Sequence, residues 1–208
     1  MALSNYTELK AAIATWMHRS NLTNQIVDFI TMAETRINRV LRVKEMISSE
    51  VLAVTGGDAN VSLPTGFLQM RSLRLESDSS DSVLTVRPIS SLKDERSESG
   101  TPRYYAYSGS SIVLYPTPAD DMNIIADCFI APTALSNSNL TNDILTYYPE
   151  IYLQGTLAEG YKYIRHQAEL AKANALFNEA VMEANKSSRK LLRSGTAAPT
   201  LTFKRNIP

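Results

Sequence analysis

Histidine and cysteine are nearly missing from this chain, and with them go most ways of building a reactive centre. Its 208 residues include one cysteine, Cys128, and two histidines, His18 and His166. A single cysteine excludes an intrachain disulfide and a cysteine-based zinc site, and it suits a reducing compartment. Cys128 stands between Asp127 and Phe129 in a strand-like run, where a small core residue is the expectation rather than a nucleophile. Each histidine falls at the end of a helical pattern, where the helix dipole accounts for it, and neither has a Cys or Asp at ligand spacing. The stretch TGGDAN lacks the Gly-Lys-Ser/Thr of a phosphate loop and reads as a turn. The carboxylate pairs Asp94-Glu95 and Asp120-Asp121 lie in polar sequence without apolar neighbours to raise a pKa, so solvation is their expected state. No catalytic residue, metal site or cofactor is expected.

Excess charge of one sign is also missing. There are 21 Lys and Arg against 21 Asp and Glu, a net charge of zero. That argues against a general nucleic-acid- or membrane-binding surface, whose affinity rests on surplus cations. No apolar run of about 18 residues occurs, and the opening MALSNYTELKAA has neither a basic nor an apolar leader-like stretch. The expectation is a soluble protein made in a cytoplasm.

What is present divides by texture. Residues 5–18 read as a helix, with Asn5 as N-cap and Glu8 three residues on, a variant of the capping box. Leu9, Ala12, Ile13 and Trp16 share one apolar face. A longer helix over about 23–43 carries Ile26, Phe29, Ile30, Ala33, Ile37, Val40 and Leu41 on one side, with Arg36, Arg39 and Arg42 outside that stripe. From Ser48 to about Ile130 the chain is short β-type runs separated by turn chemistry. SEVLAVTGGDANVSLP reads as strand, turn, strand. FLQMRSLRLES alternates imperfectly, DSSDS turns it towards VLTVRPI, and SSLKDERSE suggests one short helix. Tyr104–Tyr107 and Ile112–Tyr115 form the clearest hairpin, and MNIIADCFIAP supplies a last strand. Helical patterns resume over about 149–166, with Pro149 suited to a first turn, and over about 168–192.

The order predicts an α+β domain. Residues 1–47 and 133–192 form a helical bundle, 48–132 an inserted antiparallel β domain, and 193–208 an extended C-terminal arm.

Residues 147–166 hold five of the ten tyrosines. On a helical wheel Leu153, Leu157, Tyr161 and Ile164 form one arc. Tyr152 and Tyr163, with Tyr148 and Gly155, lie roughly opposite. Such a helix is either buried within one chain or held between its own core and a neighbouring copy. The second arrangement is the expectation, because the other helices already need the first face and tyrosine suits interfaces. From Lys186 onward there are six Lys and Arg and no acid. Arg189, Lys190, Arg193, Lys204 and Arg205, with Leu201 and Phe203 as apolar anchors, suggest an arm that folds on a partner. Arg36, Arg39 and Arg42 read either as a solvated face or as the lining of a DNA path.

NYTELKAAIATWM, IVDFITMAETRINRVLRV, LPTGFLQMRSLRL, GTPRYYAYSGSSIVLYPTP and YYPEIYLQGTLAEGYKY together, in this order over most of residues 4–185, resemble the head-to-tail adaptor (connector) proteins of tailed bacteriophages, the tail-tubular-A-like type in particular. The resemblance implies a virion protein of the neck, without cofactor or turnover. It implies a ring, dodecameric in that family, between the portal protein and the tail or nozzle protein, through which DNA passes without specific binding. By that reading Tyr148, Tyr152, Gly155 and Tyr163 meet the ring neighbour and the basic arm meets the portal. The rival readings are another neck or tail tier and, from a different class, a small nucleic-acid-binding protein.

Overall fold

The computed structural model describes residues 3–76, 82–92 and 99–193. Helix α1 spans Tyr6–Trp16. Asn5 is extended and its Oδ1 accepts the Glu8 amide at 2.9 Å, as the capping pattern requires. The return half of the box lands one residue earlier than expected, since the Glu8 carboxylate takes the Ser4 amide and hydroxyl at 2.8 and 2.7 Å. Helix α2 spans Thr23–Val40. It leads through a 3-10 turn at Lys44–Met46 into strand β1, Ile47–Val54.

The strands that follow are β2 (Asn60–Ser62), β3 (Phe67–Leu75), β4 (Thr85–Val86), β5 (Ser99–Gly100), β6 (Tyr104–Ser108), β7 (Ser111–Tyr115), β8 (Thr117–Pro118) and β9 (Met122–Ile130). They make sheets of order β1-β9-β3, β2-β7-β6-β4 and β5-β8. The β6–β7 hairpin forms where the pattern puts it, with Tyr107 opposite Ile112 and Gly109 at φ 62° in its turn. The imperfect alternation of FLQMRSLRL has a cause: the register of β3 on β9 shifts between Phe67 and Gln69 and again between Met70 and Ser72.

SEVLAVTGGDANVSLP departs from expectation. Its two strands do not pair with each other: β1 runs antiparallel to β9, and β2 to β7. The Thr55–Ala59 loop explains the split. The Gly56 amide donates to the Asp121 carboxylate at 2.8 Å, and the Gly57 amide donates to the Pro118 carbonyl at 2.8 Å. The chain is thereby tied to the loop before β9 and sent into the other sheet. Asp121 is thus exposed, as expected of a solvated carboxylate, and also serves as a loop tie. Two short pairings, β4 with β6 and β5 with β8, are parallel rather than antiparallel. Ile89–Leu92 is a 3-10 turn. The rest of the expected helix there, with Asp94-Glu95, lies outside the described residues, as do residues 78–81 of the DSSDS turn.

After β9 come α3 (Asp143–Tyr147), α4 (Pro149–Tyr163) and α5 (Gln167–Arg193). The first and last helices close one apolar core, in which Leu9, Ile13, Phe29, Ile37, Leu157 and Phe177 are buried together. A second core lies among the strands, built on Leu73, Ile112, Leu114, Ile124, Ala126 and Cys128. The two meet where Phe129, at the end of β9, joins the helical core. The result is a mixed α+β fold.

Candidate assembly surfaces

Helix α4 is enclosed by its own chain. Gly155 shows why neighbours come so close. A Cβ there would sit 3.0 Å from the Phe177 ring of α5 and 3.5 Å from the Ala33 Cβ of α2. Thr156, Ala158 and Gly160 are buried as well, so small residues admit packing on several sides. Tyr152 is 1% exposed. Its hydroxyl donates to Glu34 Oε1 at 3.2 Å and accepts from Asn142 Nδ2 at 2.8 Å. Neither Tyr152 nor Gly155 can reach a second copy while the subunit is folded, which corrects the expectation that they form an outer face. Tyr148 is half-buried and donates to Glu45 at 3.1 Å; burial, then the neighbouring Glu45 carboxylate, push its phenol up to about 12. Tyr163 alone of the four is well exposed, at 57%, with its ring tilted over Phe29 at 5.4 Å.

The polar groups inside the helical core are structural ties. Glu34 accepts the Leu135 amide at 2.8 Å as well as the Tyr152 hydroxyl. Asn142 donates to the Thr133 carbonyl and caps α3 by accepting the Leu145 amide at 2.9 Å. Together these three side chains pin the segment between β9 and α3 against α2 and α4. Asn185 of α5 does similar work at the end of α2, accepting the Arg42 amide at 2.7 Å and donating to the Val40 carbonyl at 3.0 Å. Sequence reading missed both ties. Their signal was a polar residue beside an apolar stripe: Glu34 between Ala33 and Ile37, and Asn185 next to Val181 and Ala184.

Burial raises the Glu34 carboxyl above its ordinary value, against the opposing effect of its two hydrogen bonds. A carboxyl whose folded pKa exceeds its unfolded one costs the fold stability once ionised, and that cost is relieved as pH falls through the folded pKa. Relative to Glu34→Gln, which does not titrate, the wild type should therefore gain stability on acidification from neutrality towards the ordinary carboxylate range. Urea titrations across that window check this. A relative loss would mean that the hydrogen bonds outweigh burial.

The arginines are not equivalent. Arg36 donates to Asn174 at 2.6 Å and lies 4.1 Å over the Phe177 ring, clamping α2 to α5. Arg42 donates to Gln69 of β3 at 3.1 Å and to the Asn38 carbonyl at 2.9 Å, joining the helices to the strands. Both side chains are held in place by their own subunit and partly buried, and Arg39 alone of the three is exposed. Arg189 and Lys190 are exposed residues on the last turns of α5 rather than parts of an extended arm, and α5 runs on to Arg193. Leu201, Phe203, Lys204 and Arg205 lie outside the described residues.

His18, at φ 51°, follows α1. His166 is not a C-terminal dipole partner. Arg165, at φ 59°, lies in the turn after α4, and His166 immediately precedes α5, its carbonyl accepting the Leu170 amide and its Nδ1 the Glu169 amide at 3.4 Å. Burial raises the Cys128 thiol, as suits a core residue. Among the described residues no group of three or more His, Cys, Asp or Glu is placed to hold a metal ion, and no helix is long and apolar enough to cross a membrane.

Among the described residues several concavities remain on the outside, two of them beside the α4–α5 hairpin. One cleft, of about 520 Å³, lies between Trp16–Arg19, one side of α4 and the start of α5. A smaller groove, of about 280 Å³, lies beside Tyr147, Glu150 and Glu183 at the opposite end of the α4–α5 hairpin. The buried polar groups of the helical core are thus spent on tying the subunit's own elements together, not on a reactive centre. The family model of the SU10 adaptor protein matches residues 4–200, and the chain belongs to that family. It is accordingly a phage adaptor protein, a structural component of the virion that contacts other phage proteins. No curated protein matches the chain.

Proposed function

We propose that this adaptor is of the tail-tubular-A-like type and forms a ring at the virion neck, between the portal protein and the tail or nozzle protein. The observation that carries the reading is the family match across residues 4–200. A closed ring uses heterologous contacts, so each copy must offer two different surfaces. Tyr163, exposed over Phe29, belongs to the outer surface of the bundle and remains a candidate ring contact. Residues 48–132 act as an inserted β domain facing the next tail component. The basic segment beyond Arg193, with Leu201 and Phe203 as anchors and Lys204 and Arg205 as cations, docks on acidic portal residues. A net charge of zero suits a channel that lets DNA pass without holding it.

The test is to mix the full chain with its portal and image the product by negative stain. A ring seated on one portal face is expected, and unattached subunits would overturn the reading. Removing residues 194–208 should abolish portal binding and leave the helical circular-dichroism signal intact. Unchanged binding would remove the arm from the contact.

A further inference from the structure

Two concavities beside the α4–α5 hairpin differ in the charged side chains that line them, and these make no ion pairs among the described residues. At the turn end, Arg19 and Lys172 are exposed on the rim of the 520 Å³ cleft. Neither makes an ion pair among the described residues, and Glu169 is the one acid in the lining. The floor is apolar, with Leu157, Tyr161 and Ala173 buried, while Trp16 and Leu176 stand 53% and 40% exposed at its edges. At the far end, Tyr147 projects at 62% exposure beside the exposed carboxylates of Glu150 and Glu183, which also lack ion pairs among the described residues. Lys172 and Glu183 lie on one helix, separated along its axis by about 16 Å at about 1.5 Å per residue. The acidic corner therefore cannot satisfy the basic cleft of the same subunit.

We propose that the Tyr147–Glu150–Glu183 corner of one copy seats in the Trp16–Arg19–Lys172 cleft of the next. The proposal rests on the ring reading above and names the faces that make the ring. Tyr147 supplies the apolar insert, entering a cleft with room for an aromatic ring. The carboxylates come to lie near the two cations, which sets orientation and rejects the reversed pairing. Because the faces differ, the contact repeats head to tail and can close only through a full circle of copies.

Two charge-reversed full-length chains test it: Glu150→Lys with Glu183→Lys, and Arg19→Glu with Lys172→Glu. Sedimentation velocity reads the association. Trp16, the chain's only tryptophan, reports burial of the cleft by a blue shift of its emission. Wild type should associate with rising concentration and show the shift. Each variant alone should associate about 10-fold more weakly or worse. An equimolar mixture should recover association as alternating copies, since each reversed face then meets a complementary one. Circular dichroism checks that the variants fold. If a reversal unfolds its chain, Glu150→Gln with Glu183→Gln should still weaken association and flatten its salt dependence. If either reversed chain assembles like wild type, or the mixture does not recover, this contact is wrong while the ring stands. If wild type forms no ring even on the portal, both readings fall.

Discussion

Tyr152→Ala is expected to destabilise the folded subunit by about 3–5 kcal/mol, the range for removing a large buried aromatic side chain. Single domains are stable by only about 5–15 kcal/mol, so much of the margin goes. Two losses combine. The ring leaves a cavity at the centre of the helical core, where Tyr152 is 1% exposed. The hydroxyl also leaves Glu34 and Asn142 short of a partner in a buried site, and an unsatisfied buried polar group costs about 1–3 kcal/mol. Tyr152→Phe separates the terms, since it keeps the ring and should cost only the second. Urea denaturation of both variants, followed by circular dichroism, gives the two numbers. A Tyr152→Ala chain that melts like wild type and fails only to assemble would return Tyr152 to the outer surface.

That outcome bears on how much of the molecule could be read from its residues. Helix ends were legible where a single side chain decides them: Asn5 caps α1, and Pro149 opens α4. The β6–β7 hairpin was legible because its partners are adjacent in sequence. The pairing of β1 with β9 was not, because Ile47 and Phe129 meet only after the whole β region has folded between them. The face of α4 was misread for a related reason. A helical wheel shows which side chains share a direction, not how many neighbours surround the helix. Gly155, Thr156, Ala158 and Gly160 carried the missing information, since small residues on several sides mark a helix approached from several sides. The hydroxyl of a buried tyrosine needs a partner, and Glu34 on the apolar stripe of α2 was waiting to be matched with it. No local pattern links residues 34, 142 and 152. The exposed charges of the two hairpin ends were equally silent, because in sequence Arg19, Lys172, Glu150 and Glu183 look like any other solvated residues.

The junction of α2, α4 and α5 offers the sharper measurement. Phe177→Ala should cost about 3–5 kcal/mol, because the ring is 1% exposed, touches the Gly155 site and supports the Arg36 guanidinium at 4.1 Å. Gly155→Leu should also destabilise, despite leucine's better helix propensity of nearly 1 kcal/mol over glycine. Its Cβ alone would stand 3.0 Å from the Phe177 ring, and the remaining side-chain atoms have no space to enter while α5 stays in place. Overpacking of this kind typically costs about 1–3 kcal/mol and sometimes more. The double variant should be more stable than the sum of the two losses implies, by about 0.5–3 kcal/mol, since leucine can occupy part of the volume the phenyl ring leaves. Such coupling requires that Gly155 face Phe177 inside one subunit. Strict additivity in a double-mutant cycle, or a Gly155→Leu chain that folds normally and loses only its association, would instead put Gly155 on a surface between copies.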